Sequence, residues 1–463
     1  MGLAQDLAEY IVATDFASFD ADAIEWAKWR VLDVCGCALA GAEAPGCHMM
    51  KDLVTDWGGA GESTILAYGG RAPAHNVAML NTLMARSHDY EPVEAEFEGR
   101  GSPAHISGTT VPVALAMAEK QRADGKRLLT ALIVGDDIAA RLAVNSGFDF
   151  DLGWDETGTV NVFGAAATAC KLLQLNEQQI FDALGIALNR LSGSIAGIFD
   201  KTLCYKLPMA CSSREGVFAA ELAQRGFQGV ADPFVGPRGY FSMFCRNHSA
   251  DQVAKDLGRE FYSDCVIKPY SACRITHPFI DSALAIATSH DVDAGGIAAI
   301  TIHGTQFGAH SFCAQPLPSS EIRQPDAAFS IRYCVAAALL WREVAPPHFT
   351  DESLHDPRIR HLAGCMEVVA DLPQREPGDN QVRMEVTMSD GRSFSAHTLV
   401  GKGDMREGSV NLSDVQAKFL ANARFAGLDV VKAEQAMAMI DRLEDLEDVR
   451  SLMRLLVKGE NQS

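Results

Sequence analysis

Two helical patterns with a polar loop between them dominate the stretch that decides the fold of this chain. The loop contains Ser87-His88-Asp89-Tyr90-Glu91 and, a few residues later, Ser102-Pro103-Ala104-His105-Ile106-Ser107-Gly108. Residues 76–86 repeat apolar side chains at helical spacing, and residues 111–119 begin a second helix rich in small side chains. A rigid scaffold therefore holds acids and imidazoles on irregular backbone, where catalytic groups tend to lie, so the loop is a candidate active-site segment.

The same helical spacing extends from the amino terminus to about residue 265. A stripe over residues 24–38 follows Asp20, a suitable helix cap, and further helices are predicted at 163–175, 178–191 and 212–225. After residue 405 the pattern is helical again, with Ser413 as its predicted cap. We therefore predict a mainly α fold whose large all-helical domain is formed by residues 1–265 and 405–463.

Residues 266–404 have a mixed pattern. Residues 297–303 predict a strand, and the alternation over residues 382–388 before Ser389-Asp390-Gly391-Arg392 predicts a hairpin. Helices are expected at 278–289 and 330–341. These residues are predicted to form a smaller α+β domain.

Composition excludes several classes of partner. The 463 residues carry a formal net charge of -20, which repels phosphate backbones and anionic lipid surfaces, so nucleic-acid and membrane partners are not expected. The 12 cysteines are scattered, as expected of reduced thiols, and no secretory leader is recognised, so we expect a cytoplasmic protein. His355 and His361 lack nearby ligands at metal spacing, and we predict no metal site.

Several polar segments together resemble the MmgE/PrpD superfamily, over nearly the whole chain. His88-Asp89-Tyr90 matches its aspartate-aromatic-acid run, and His105-Ile106-Ser107-Gly108 matches its His-Pro-Ser segment. Further matches are Thr157-Gly158-Thr159, Phe163-Gly164-Ala165-Ala166, Lys268-Pro269-Tyr270, Cys273-Arg274, His277-Pro278 and Phe329-Ser330-Ile331. The resemblance implies a homodimer without a cofactor, in which the α+β domain is a lid and the site lies between the two domains.

The resemblance also implies roles for individual residues. Asp89, His105 and Lys268 stand at family site positions and are predicted to be catalytic. Tyr205 stands where the family has a lysine, although a shift of one residue would place Lys206 there, and both are kept as candidates. The predicted substrate-binding residues are His88, Asp155, Thr157, Thr159, Arg274 and His277.

Two departures from the family pattern bear on the substrate. Val93 stands where a threonine is expected, and Asp155 stands where the family has a histidine. Removing a proton α to a carboxylate builds charge on the carboxylate oxygens, which cations must stabilise. A carboxylate at Asp155 would instead repel a third substrate carboxylate by on the order of several kcal/mol.

We therefore predict a lyase of the dehydratase type that acts on a small hydroxy-carboxylic acid other than methylcitrate. Such a substrate has fewer carboxylates or turns a cationic or hydroxyl group towards Asp155. His105 and either Tyr205 or Lys206 are expected to exchange protons with it, while Lys268 and Arg274 bind a carboxylate. The alternatives are an epimerase or isomerase of a small amino- or carboxylic acid, and a non-catalytic protein that binds such an acid.

Overall fold

The computed structural model describes residues 2–376 and 378–459. Met1, Pro377 and residues 460–463 of the predicted domains lie outside this description. Up to residue 266 the chain is built mainly from helices, which are joined by connections that range from short turns to long loops. Their bounds are α1 (Leu3–Ala13), α2 (Ala21–Gly41), α3 (Cys47–Trp57), α4 (Ala74–Arg86), α5 (Ile106–Gln121), α6 (Gly125–Val144), α7 (Val160–Leu172), α8 (Glu177–Leu188), α9 (Ala196–Phe199), α10 (Leu207–Gln224) and α11 (Tyr240–Phe244).

The same part of the chain contains two small sheets. Their strands are β1 (Ser63–Thr64), β2 (Arg71–Ala72), β3 (Val93–Phe97), β4 (Arg100–Ser102) and β5 (Asp264–Val266). β1 pairs with β2, and β3 lies between β4 and β5 with antiparallel pairing on both sides. The mainly α fold is confirmed, but the large domain is not all-helical, because β3 finds its second partner more than 160 residues away in β5.

The remaining described chain contains a larger sheet and two groups of helices. The elements are α12 (His277–Ser289), β6 (Ile297–Gly304), α13 (Gln306–Ala309), α14 (Gln324–Ala328), α15 (Ile331–Trp341), α16 (Asp351–Leu354), α17 (Pro357–Gly364), β7 (Met366–Ala370), β8 (Val382–Met388), β9 (Ser393–Thr398), α18 (Leu412–Phe425), α19 (Val430–Asp441) and α20 (Arg450–Met453). The strand order is β7-β6-β8-β9, in which only β6 and β7 are parallel. The predicted hairpin is thus β8–β9, and α12 covers it.

Helix starts follow local capping chemistry. The Asp20 side chain accepts a hydrogen bond from the Ala23 amide at the start of α2, as its position predicts. The cap of α18 is Asn411 and not Ser413, because the Asn411 side chain accepts from the Asp414 amide and Asp414 bonds back to the Asn411 amide. This reciprocal capping box satisfies two amides at once, which a serine inside the first turn cannot do.

Buried apolar side chains form two large clusters. The first draws on α1–α8, α10 and, from the far end of the chain, α18–α20; the second contains α12, α15 and the four-stranded sheet. Within the second cluster alternate residues of β8 face inward, including Val382, Met384 and Val386. The division into residues 1–265 with 405–463 and residues 266–404 stays a prediction, and these clusters support it.

Candidate active site

A cavity of about 630 Å³ lies between the two clusters. The first cluster supplies the end of α4, the β3–β4 hairpin and the start of α5, and the second supplies the segment before α12 and the loops at 375–380 and 399–401. The ionisable side chains that line the cavity are Arg86, Asp89, Glu94, Glu96, His105, Asp155, Glu156, Arg274, Arg375, Glu376 and Asp379. The predicted loop therefore faces an enclosed space of the size that small ligands occupy.

Asp89 and His105 reach the cavity from strained backbone. Asp89 follows α4 with a φ of 48°, and His105 immediately precedes α5 with a φ of 49°. Left-handed backbone is costly for residues other than glycine and persists where the surrounding structure fixes it, often at functional sites. Two such residues side by side indicate that the fold is arranged to hold these side chains in place.

A buried network of charges surrounds Asp89. Lys268 Nζ lies 2.9 Å from Asp89 Oδ1 and donates to the Asp89 carbonyl at 2.8 Å. Arg86 Nη1 donates to Asp89 and, at 2.9 Å, to Glu91 Oε1. Burial raises the pKa of Asp89, but Lys268 and Arg86 outweigh it, so the pKa is lowered below its usual value. Both carboxylates therefore stay ionised at neutral pH.

His105 is held by Glu91 and is neutral at pH 7. Its Nδ1 lies 2.9 Å from Glu91 Oε1, and its Nε2 lies 3.9 Å from Asp89 Oδ1. Burial lowers the pKa of His105 below 6.5, and the neighbouring Arg86 lowers it further. A neutral imidazole that is protonated on Nδ1, the nitrogen close to the Glu91 carboxylate, has an available lone pair on Nε2, which is the arrangement of a general base.

Asp155, Glu156 and Thr157 form another part of the cavity wall, at the end of a loop before α7. Asp155 Oδ1 accepts hydrogen bonds from Thr157 N at 3.0 Å and from Thr157 Oγ1 at 2.7 Å. Asp155 thus caps a short turn and lines the cavity at the same time. The Glu156 carboxyl receives hydrogen bonds from Ser102 and Ser146, and burial raises its pKa to about 7.

Tyr205 and Lys206 lie behind the cavity wall. The buried Tyr205 hydroxyl donates to the Ser87 carbonyl at 2.7 Å, and the Arg86 guanidinium lies over its ring, 5.4 Å from the centroid. Lys206 Nζ donates to the Pro45 carbonyl at 2.8 Å, on the side of α3, and burial lowers its pKa to about 8. Tyr205 is therefore placed to position Arg86, whereas Lys206 is directed away from the cavity.

The other predicted residues divide into two groups. Thr157 and Arg274 line the cavity, although Arg274 is already bonded to Glu94 at 3.2 Å and to two backbone carbonyls. The remaining four lie outside the lining: Lys268 supports Asp89, His88 packs against the Phe425 ring, Thr159 bonds to the Glu156 carbonyl, and His277 contacts the Ala272 carbonyl.

The sequence patterns did not single out Arg86, Glu91, Glu156 or Lys418. Arg86 stands three residues before Asp89 at the end of α4, and that spacing was the available signal. Lys418 of α18 is buried, pairs with Asp33 at 2.7 Å, and donates to the carbonyls of Tyr90 and Lys268. Its role depends on contacts between distant segments, which spacing does not reveal.

Asp89, Glu91 and His105 also form a possible set of metal ligands, with ligand atoms within 4.8 Å of one another. Arg86 and Lys268 already neutralise the two carboxylates inside the same buried network. A divalent ion would be repelled by both cations, so the donor set does not fit a metal well. The absence of a metal stays a prediction.

A buried cluster of acids and a histidine in a cavity between a helical body and an α+β unit is an arrangement typical of enzymes. Comparison with known families agrees: residues 5–253 match the MmgE/PrpD N-terminal domain, and residues 270–445 match the MmgE/PrpD C-terminal domain. The chain belongs to the MmgE/PrpD family. The second match extends beyond residue 404, into helices that pack on the first cluster.

Two characterised relatives are similar over most of their length. Cis-aconitate decarboxylase of Mus musculus is 26% identical over 458 residues, which cover 94% of this chain and 89% of the relative. Cis-aconitate decarboxylase of Aspergillus terreus is 22% identical over 476 residues, which cover 97% and 94%. These relatives agree with the enzyme class predicted from the motifs, a lyase of the MmgE/PrpD family. Within the described residues, no helix is both long and apolar enough to cross a membrane.

Proposed function

We propose that the chain is a cofactor-independent lyase of the dehydratase type, which removes the proton α to a carboxylate of a small hydroxy acid bound in the cavity. The neutral imidazole of His105, backed by Glu91 and placed beside Arg86, is the observation that carries the proposal. His105 Nε2 takes the α-proton, and the Arg86 guanidinium stabilises the charge that develops on the substrate carboxylate. Asp89 keeps the imidazolium stable after the transfer, while Lys268 holds Asp89.

The leaving hydroxyl needs a proton, and Glu156 is the proposed donor. It lines the cavity, and its pKa of about 7 keeps a substantial fraction of the carboxyl protonated at neutral pH. Ser102 and Ser146 hold the carboxyl in one orientation. Water then leaves with the Glu156 proton as the double bond forms, and bulk solvent restores both groups afterwards. Tyr205 and Lys206 are left out of this scheme because they lie behind the wall.

Decarboxylation is the second candidate, because similarity to the cis-aconitate decarboxylases extends over nearly the whole chain. In that reaction the carboxylate leaves as carbon dioxide, and the carbanion takes a proton from a cavity acid. The carboxylate of Asp155 makes the wall unfavourable for a tricarboxylate, which supports dehydration of a smaller acid instead.

Nuclear magnetic resonance in deuterated water distinguishes these reactions. The protein is incubated separately with malate, citramalate, methylcitrate and cis-aconitate. Dehydration is expected to give an alkene from a small hydroxy acid and little reaction with methylcitrate. Deuterium exchange without elimination would instead indicate an epimerase, and carbon dioxide release from cis-aconitate a decarboxylase. Failure to exchange, eliminate or decarboxylate any of them would contradict the proposal and favour a binding protein.

The variant His105→Ala tests the base with the acid that reacts. Loss of a general base should lower kcat by about a hundredfold or more. His355→Ala, which removes an exposed histidine, is the matched control and should keep full activity. Melting temperatures show whether either variant has lost its fold, and an unchanged kcat in His105→Ala would remove His105 from the mechanism.

The predicted homodimer has a suitable surface on α3 and α10. Met49, Trp57 and Phe218 are exposed apolar side chains on these helices, with Met49 73% exposed. Arg214 of α10 lies over the Trp57 ring at 4.9 Å, so the two helices present a common face. We propose that a second copy of the chain covers this face. A cytoplasmic location stays a prediction from the sequence.

A further inference from the structure

Only one of the two oxygens of the Asp155 carboxylate accepts hydrogen bonds from the described residues. Oδ1 accepts two hydrogen bonds from Thr157, whereas Oδ2 is buried and has no partner among the residues that the structure describes. Asp155 lines the cavity and is 4% exposed. A buried acceptor without a donor is costly, and at a cavity wall a ligand can supply the donor.

The other charged groups of the lining are largely compensated within the protein. Arg274 bonds to Glu94 at 3.2 Å, and Arg375 forms a forked pair with Asp379 at 2.9 Å. Their guanidinium groups are therefore occupied by acids before any substrate arrives. Outside the cavity, Arg406 pairs with Glu96 at 3.1 Å.

Arg86 is the cation best placed for a substrate carboxylate. It lines the cavity beside His105, and its Nε atom is buried without a partner within the described part of the chain. Arg86 and Asp155 both line this cavity. Burial raises the pKa of Asp155, and the positive charge of Arg86 partly offsets that effect. Arg86 Nη1 is bonded to Asp89 and Glu91, but the Nε–H is unused within the described residues. One wall thus has a cation with one unused donor and a carboxylate with one unused acceptor.

We propose that the small hydroxy acid also has a protonated amino group, which donates a hydrogen bond to Asp155 Oδ2 while a substrate carboxylate binds Arg86. The inference deepens the proposed function, because it concerns the same cavity and names the class of molecule that fits it. Asp155 is the specificity-determining residue. Both donors would make a charge-assisted hydrogen bond to the carboxylate, but only the ammonium group adds the Coulomb attraction of an opposite charge, so it is favoured over a hydroxyl.

A series of four-carbon acids tests this inference. Succinate, malate and L-aspartate have the same two carboxylates and differ at one carbon by hydrogen, hydroxyl or ammonium. Their dissociation constants are measured by isothermal titration calorimetry, which does not require turnover. We expect L-aspartate to bind at least tenfold more tightly than succinate, with malate between them.

Asp155→Asn removes the charge with little change in shape, and it should abolish the preference for L-aspartate. Glu376→Gln is the matched control, since it removes a more exposed carboxylate from the same cavity and should leave the preference intact. A preference that survives in Asp155→Asn would overturn the assignment.

The order of the three dissociation constants in the wild-type protein tests the proposed substrate class even if Asp155→Asn does not fold. Succinate binding as tightly as L-aspartate, or no binding of any of the three acids, would overturn the proposed substrate class. These results are independent of the deuterium-exchange experiment, which measures whether the site removes a proton. The two experiments can therefore contradict the proposed preference for an amino group without contradicting the proposed lyase reaction, and the reverse.

Discussion

Glu156 is the residue whose chemistry depends most on its surroundings. An exposed glutamate is ionised at neutral pH, but burial raises the pKa of Glu156 to about 7, and two serine hydroxyls do not fully offset that effect. His105 has the opposite shift, because burial and Arg86 lower its pKa. At neutral pH the cavity therefore contains an unprotonated base and a partly protonated acid.

The proposed acid and base predict a bell-shaped dependence of kcat on pH. Activity should fall at low pH as His105 gains a proton, below 6.5, and fall at high pH as Glu156 loses its proton, near 7. Glu156→Gln should lower kcat by about a hundredfold and remove the high-pH limb. Rate profiles from pH 5 to 9 check this, with Glu376→Gln as control. A high-pH limb that persists in Glu156→Gln would exclude Glu156 as the proton donor.

Residue-level prediction from the sequence identified some side chains that line the cavity and missed others. Asp89, His105 and Asp155 were identified because motifs mark them, and all of them line the cavity. Arg86 and Glu156 were missed because their availability and pKa arise from burial against distant segments. Lys206 was retained as a candidate through sequence register alone, yet its amine points to Pro45.

At the scale of elements, the start of α5 depends on two distant segments, α7 and β5. Asn161 of α7 donates to the carbonyls of Ala104, at 2.9 Å, and His105, at 3.3 Å. From β5, Asp264 accepts the Ser107 amide at 2.7 Å. These contacts fix the left-handed backbone of His105 and so set the direction of its imidazole.

Asn161→Ala should therefore affect both stability and rate. The variant leaves buried carbonyls unsatisfied, and we expect the free energy of unfolding to fall by about 1–3 kcal/mol. We also expect kcat to fall about tenfold with little change in KM, because the imidazole loses its orientation. Urea unfolding and steady-state kinetics measure the two effects.

Thr109→Val is the control for this prediction. Asn161 also donates to the Thr109 hydroxyl at 3.0 Å, so the control removes one contact of the same amide and keeps its bonds to the two carbonyls. It should retain most of the activity. Equal losses of kcat in Asn161→Ala and Thr109→Val would contradict a specific role of the carbonyl contacts.

Helix prediction succeeded better than strand prediction for a physical reason. Helical hydrogen bonds are local, so the apolar spacing of α2 and α7 was sufficient to find them. β3 has a readable alternation of Val93, Ala95 and Phe97, but it is short, and its partner β5 lies far along the chain. Strand pairing requires tertiary information, and this small sheet was consequently missed although it lines the cavity.

At the scale of the whole molecule, the exposed apolar face of α3 and α10 predicts association. Light scattering at low micromolar concentration should give the mass of a dimer. Trp57→Asp places a charge in this face and should shift the protein to monomer mass, because an unpaired charge is costly to bury. Met243→Asp changes another exposed apolar residue, on α11, and should leave the dimer intact. A wild-type protein of monomer mass, or a dimer unaffected by Trp57→Asp, would contradict the proposed interface.

The position of Lys418 has a consequence for how the protein is made. Its ammonium group joins the backbone of Tyr90, which is next to Asp89 in the chain, to that of Lys268, which holds Asp89. The ribosome produces the loop early and α18 more than 300 residues later. A nascent chain therefore contains Asp89 and His105 long before Lys418 can join these segments, and that contact becomes possible only in the last tenth or so of translation.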